Sequence, residues 1–438
     1  MSLIATYLLP HPPLIFPEIG NGEEQEITST IEAYKEIAEK IAETNPDTVI
    51  IVSPHVETSA DTFLLPAESK ISGDMREFGA PDIKLSLDVD YRFIHLLIKS
   101  CRHENFPATK FKNRFKLDHA TMIPARFIEQ TMEQSGIKYV TIGVTDLSLD
   151  KHRHFGELIA KTAEKLNRKI VLVASGDLSH RLKDDGPYGF NEKGPEFDKD
   201  IQDIVKKASF EKLFEMSVDY CQAAGECGHR PLCVMSGAID SYAVKSQLLS
   251  YEAPFGVGYC VASFDIMKNP LVKLAQKTVE EYVRSGKVIS SPKGNFPGIT
   301  DKKAGVFVSI KKFGELRGCI GTIKPTAKNI AKEVIHNAIS AATHDSRFEP
   351  ISENELSQLS YSVDVLHPTE SIRSISELNP KLYGVIVQLG DKQGLLLPRL
   401  EGINTAKKQV RIAMQKAGIS QKQINNIKLS RFKVDRFY

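Results

Sequence analysis

The residues best suited to chemistry in this 438-residue sequence are three histidines, each placed just after a strand-like run. His11 lies in Leu9-Pro10-His11-Pro12-Pro13, past an apolar stretch over residues 4–9. His55 lies in Ser53-Pro54-His55, past a β-branched run over 48–52. His180 closes the segment Ser175-Gly176-Asp177-Leu178-Ser179-His180, which follows a third run over 170–174. Imidazole is the commonest metal ligand and the side-chain base best matched to neutral pH. Proline beside His11 and His55 restricts the backbone and pre-aims each ring. A carboxylate from Glu226, in Gly225-Glu226-Cys227-Gly228, or from Glu252 would complete a set of two histidines and one carboxylate. That is the facial arrangement of non-haem Fe(II) oxygenases, which leaves positions open for substrate and dioxygen. His11 and His55 would then be ligands, with His180 left as acid or base. Three histidines and a water would instead suit zinc. His95, His103, His152, His154, His336 and His367 lack this placement and read as surface or packing residues.

Strand ends can converge only if the sheet brings them together. Residues 24–43 carry Ile27, Ile31, Tyr34, Ile37, Ala38 and Ile41 at helical spacing, between two of the strand-like runs. Further helices are expected over 90–101, 151–167 and 196–207, a further strand over 139–144, and two closing strands over 247–252 and 256–264. Strands alternating with helices of this length predict an α/β domain whose largely parallel sheet is covered by helices on both faces. In such a sheet, ligands bind outside the carboxyl ends of the strands. The pattern changes near Lys268-Asn269-Pro270. A helix over 271–283 and a loop rich in Gly, Pro, Ser and Lys over 285–303 lead to hairpin-like pairs at 305–310/316–320 and 385–389/394–397. An amphipathic helix over 327–342 and a strand over 361–366 accompany them. This second region reads as an α+β domain. The boundary is set at residues 1–268 and 269–438.

Composition narrows the partners. With 57 basic against 55 acidic residues, nothing points to nucleic acid or an anionic membrane. The basic tail over 422–436 is interrupted by Ile427, Leu429, Phe432 and Val434 and reads as an edge element with a solvated face. Six cysteines without a Cys-x-x-Cys pair suggest reduced thiols in a cytoplasmic protein. The apolar start lacks a basic leader and is broken by prolines, so a buried strand is expected there. No apolar run reaches the 18 or so residues that span a bilayer. Closed homodimers are the commonest assembly, and the sequence leaves open whether this chain forms one.

Taken together, Pro10-His11-Pro12-Pro13, Ser53-Pro54-His55, Leu117-Asp118-His119-Ala120, the Ser175–His180 segment and Gly225-Glu226 followed by Gly237-Ala238 resemble the LigB superfamily. These are the class III extradiol dioxygenases, a group that also includes the Memo proteins. The resemblance covers residues 1–268 and implies Fe(II) bound by His11, His55 and Glu226, with a small catecholic or phenolic aromatic as substrate. It implies His180 as acid/base and His119 as a second active-site histidine. Memo proteins carry cysteine near the third ligand, which brings in Cys227, and a Memo-like metal-binding redox protein holding iron or copper is the alternative. Zinc-dependent hydrolysis is a third reading. Residues from about 270 onward resemble the AMMECR family through Leu316-Arg317-Gly318-Cys319-Ile320-Gly321, His344-Asp345-Ser346-Arg347-Phe348-Glu349-Pro350 and Leu396-Leu397-Pro398. There, Cys319 beside Arg317 raises an activated thiolate as one reading and a buried small residue with an ion-paired arginine as the other.

Overall fold

The computed structural model describes residues 2–113, 115–132, 136–240, 242–267, 269–292, 299–400 and 402–437. The chain divides into two compact units, Met1–Met267 and Lys268–Tyr438.

The first unit is built on a six-stranded sheet. Its strands are β1 (Leu3–Leu9), β2 (Thr48–Ser53), β3 (Lys138–Gly143), β4 (Ile170–Ser175), β5 (Ala243–Glu252) and β6 (Tyr259–Met267). Their order is β3-β2-β4-β1-β6-β5. The first four are parallel, and β6 and β5 close the sheet antiparallel. Every residue of β2 and β4 is buried, as expected for parallel strands covered on both faces. Register makes the three functional strand ends level, because Leu9 pairs with Ser175 and Val52 pairs with Ala174. Neighbouring strands lie roughly 4.8 Å apart, so side chains just beyond β1, β4 and β2 must share one edge of the sheet.

Helices α1 (Thr28–Thr44), α2 (His119–Thr131), α3 (Leu149–Leu166) and α4 (His229–Ile239) pack around this sheet. The sequence reading did not anticipate α2, whose Pro124 interrupts the helical pattern, nor the hairpin of Lys70–Met75 with Ala80–Asp88.

The second unit carries two four-stranded antiparallel sheets. Helix α5 (Pro270–Ser285) precedes β7 (Val306–Lys312) and β8 (Glu315–Gly321), which form the expected hairpin. Then come α6 (Ile330–Thr343), β9 (Leu359–Leu366), β10 (Glu370–Ile372), β11 (Gly384–Leu389), β12 (Lys392–Leu396), α7 (Ala406–Lys416), β13 (Lys428–Phe432) and β14 (Val434–Phe437). The sheet orders are β8-β7-β9-β14 and β10-β13-β11-β12. The basic tail is thus only partly an edge element. β14 lies at the edge of one sheet, whereas β13 is interior to the other, where Phe432 is buried. Lys268 and residues 293–298 of the Gly- and Pro-rich loop lie outside the described residues. Among the described residues, no helix is long and apolar enough to cross a membrane.

Candidate metal centre

His11 stands two residues past β1 and is almost fully buried, at 2% exposure. Its backbone N–H donates to Asp177 Oδ1 at 2.7 Å. Its ring Nδ1 lies 3.0 Å from Ser175 Oγ, and that hydroxyl donates its only hydrogen to the Ala120 carbonyl at 2.7 Å. Ser175 can therefore only accept from the ring, which assigns the proton to Nδ1 and leaves a lone pair on Nε2. The Ala120 carbonyl is free for this because Pro124, four residues on in α2, has no N–H to offer it. Nε2 faces Cys227 Sγ at 3.5 Å and Asp177 Oδ2 at 3.9 Å.

His55 stands two residues past β2 and is open to solvent. Its backbone N–H donates to Ser53 Oγ at 3.1 Å, and Ser53 donates in turn to Asp118. Asp118 also caps α2 by accepting the Thr121 N–H at 2.7 Å. One carboxylate thus fixes both the turn that carries His55 and the helix that begins at His119. The rings of His55 and His119 stack with centroids 4.8 Å apart, and His11 meets them edge-on at 5.0 and 5.2 Å. His180 Nε2 lies 3.8 Å from Cys227 Sγ and 4.0 Å from Asp177 Oδ2. The rings of Phe78 and Tyr188 lie against His119 and His180.

Cys227 reaches this cluster because two glycines cross. A Cβ on Gly176 would fall 2.2 Å from the Gly228 Cα, a distance only glycine allows. The Asp177 N–H then donates to Cys227 Sγ at 3.3 Å. The ligand atoms of His11, His55 and Cys227 lie within 4.8 Å of one another, and so do those of Asp177, His180 and Cys227.

Of the three candidates for the third ligand, Glu226 and Glu252 are hydrogen-bonded elsewhere in this structure. Glu226 Oε2 accepts the backbone N–H of His229, the first residue of α4, at 2.6 Å. The first N–H groups of a helix have no intrahelical acceptor, and Glu226 is taken up satisfying one of them. It groups with Cys221 and His229 rather than with His11 and His55. Glu252 accepts both the N–H and the hydroxyl of Thr30 at 2.7 Å near the start of α1. The thiol of Cys227, one residue beyond Glu226, stands where the carboxylate was expected.

Electrostatics prepare the donors for a cation. Burial, then the neighbouring histidines, holds His11 well below the usual imidazole range. Partial desolvation on its inner side lowers His55, exposed as the residue is, against the opposing pull of Asp118, and burial brings His119 and His180 down to about 4, assisted by His55. All four rings are therefore neutral at pH 7, with lone pairs available. Burial raises the Asp177 carboxyl to about 7 and pushes the Cys227 thiol well up, helped by Asp177 and Glu226. A bound cation reverses this logic, because metal binding expels a thiol proton. Two neutral imidazoles and a thiol, one ring with its lone pair already fixed, fit a single borderline-to-soft transition-metal ion.

Comparison with known proteins follows the same division of the chain. The family described as the catalytic LigB subunit of aromatic ring-opening dioxygenase matches residues 5–262. The chain belongs to the LigB family. Its second unit is an AMMECR1 domain, matched over residues 272–437. A protein of Clostridium acetobutylicum, CA_C1420, is 40% identical across 96% of this chain and 96% of its own length and shares the two-domain architecture. A Thermotoga maritima protein is 47% identical over 39% of this chain and 99% of its own length. A crystal structure of an uncharacterized protein, PH0010 from Pyrococcus horikoshii, is 31% identical, covering 37% of this chain and 87% of that chain at a TM-score of 0.36.

In the AMMECR1 unit, Arg317 does not serve the thiol. Its guanidinium makes two 3.0 Å bonds to the Glu355 carboxylate and donates to the carbonyls of Glu349 and Pro350. Cys319 Sγ accepts from Ser309 Oγ at 3.2 Å, and burial raises the thiol above its ordinary range. Asp345 accepts the Cys319 N–H at 2.8 Å while chelated by Arg347. These contacts fit a packed, ion-paired strand rather than an activated thiolate.

Proposed function

We propose that the LigB-family unit is a mononuclear metal oxidoreductase in which His11, His55 and Cys227 hold Fe(II), acting on a small catecholic or phenolic aromatic. The single observation that carries this reading is the position of Cys227 Sγ, 3.5 Å from His11 Nε2 and 3.8 Å from His180 Nε2. Bound there, the ion supplies Lewis acidity and one-electron redox chemistry. His180 is neutral and faces the same space, so its Nε2 is the group placed to take a proton from a substrate hydroxyl. Asp177, with a carboxyl raised to about 7, stands 4.0 Å away and exchanges protons readily near neutrality. His119, stacked on His55 and met edge-on by Phe78, would be the second histidine beside the substrate.

A second reading is favoured by the thiol itself. A cysteine in place of the carboxylate is the Memo-like feature and suits a redox or interaction protein that holds iron or copper without cleaving rings. Metal analysis after anaerobic purification, followed by oxygen uptake on a panel of catechols, separates the readings. Iron with catechol-dependent uptake supports the first. Iron or copper without uptake supports the second, and zinc with hydrolytic activity would sink both.

A further inference from the structure

The AMMECR1 unit contains a cleft of ≈ 520 Å³ whose lining, among the described residues, includes three lysines and no carboxylate. Its floor is one face of the sheet β10-β13-β11-β12. There, Gln388 pairs with both Lys428 and Gln393 across the strands, and Ile386 pairs with Ser430. The opposite wall comes from one end of the other sheet, through Lys303 to Gly305 before β7, Ile323 to Pro325 after β8, and Leu366 to Thr369 around the end of β9. Among the described residues, none of Lys303, Lys324 and Lys428 has a carboxylate within ion-pair distance. The one titratable neighbour on the wall, His367, is already held by Asp435 at 2.9 Å.

Three exposed lysines around one cavity, with no carboxylate partner among the described residues, give it a positive potential that favours an anion. Lysine presents a compact point charge with rotatable donors, which suits the spread charge of a phosphoryl group. Beyond the lysines, Gln388, Gln393 and Ser430 offer both donors and acceptors, next to apolar surface from Ile323, Leu366 and Ile386. The volume falls within the roughly 300–1,000 Å³ typical of small-molecule sites. We infer that this cleft binds a phosphorylated small molecule of about nucleotide size, with the phosphate on Lys303, Lys324 and Lys428 and the organic part against the glutamines and the apolar wall.

The test is calorimetric titration of the metal-free full chain with pyrophosphate, with adenosine 5′-monophosphate and with adenosine. The titrations are repeated on Lys324→Gln/Lys428→Gln and on Lys407→Gln/Lys408→Gln, which removes the same charge outside the cleft. Circular dichroism checks that each variant is folded. The inference expects both phosphorylated probes to bind with Kd below about 1 mM and adenosine to bind more weakly. It expects the cleft variant to lose at least about tenfold in affinity, some 1.4 kcal/mol, while the control variant keeps it. No phosphate binding in that range overturns the inference. So does an equal loss in both variants, or binding of adenosine as tight as that of its phosphate.

Discussion

Replacing Ser175 by alanine separates the role of the metal centre from the stability of the sheet around it. Ser175 is fully buried and makes two contacts, a 2.7 Å donation to the Ala120 carbonyl and a 3.0 Å acceptance from His11 Nδ1. In Ser175→Ala the Ala120 carbonyl, which Pro124 cannot serve, is left without a partner. An unsatisfied buried polar group costs about 1–3 kcal/mol, which urea unfolding of the metal-free protein would read as a shifted midpoint in the LigB-unit transition. The second effect is specific to the ligand. Without Ser175, nothing holds the His11 proton on Nδ1, and loss of such an outer hydrogen-bond partner lowers metal affinity by about 10–100-fold. Competition against a chromophoric chelator measures that loss. Variant protein that is destabilised as expected, yet binds Fe(II) as tightly as the wild type, would refute the orientation argument and with it the place of His11 among the ligands.

Other substitutions probe neighbouring parts of the account. Cys227→Ala should lower metal affinity by more than the roughly 100-fold that an outer partner is worth, whereas Glu226→Gln should leave it unchanged, since the amide oxygen still accepts from His229. The reverse ranking in chelator competition would return the carboxylate to the metal. Gly176→Ala places a methyl 2.2 Å from the Gly228 backbone; overpacking of this kind costs about 1–3 kcal/mol and should weaken metal binding along with thermal stability, so a variant matching the wild type in both speaks against the crossing. Asp198 accepts the Ser179 N–H and the Tyr251 hydroxyl while burial raises its carboxyl from 3.8 to about 7. The folded state therefore holds a proton that the unfolded state has lost over that window, and this carboxyl costs stability as pH rises through it, by at most about 1.4 kcal/mol per unit. Asp198→Asn should gain on the wild type between pH 4 and 7 and hold a constant margin above; denaturation curves with a pH-independent difference would contradict this.

The placement of His11, His55 and His180 was legible in the sequence because it follows from strand ends, and strand ends follow from short, uniformly apolar runs such as 48–52 and 170–174; His119, at the start of a helix, came only through the family resemblance. What the sequence could not display was which way successive side chains turn at the start of α4. Glu226 and Cys227 are adjacent, and a family pattern favours the carboxylate, but the helix N-terminus at His229 takes that carboxylate and the glycine crossing presents the thiol. The signal was there in weak form, since the free N–H groups and positive dipole end of a helix attract a carboxylate just before it. Asp177 carries no signal of its own in the segment leading to His180, and only the fold brings its carboxylate into contact with both His11 and His180. In the AMMECR1 unit the hairpins were readable from their turns. The exchange of β13 and β14 between two sheets was not, because a short basic, alternating tail carries no information about which strand it will join.

X-ray absorption at the metal edge of the full chain, loaded anaerobically with Fe(II), tests the central claim most directly. The account predicts a first shell containing one sulfur and two imidazole nitrogens, with the sulfur lost in Cys227→Ala and one imidazole lost in His55→Ala. A shell of nitrogen and oxygen alone, unchanged by Cys227→Ala and altered by Glu226→Ala, would contradict it.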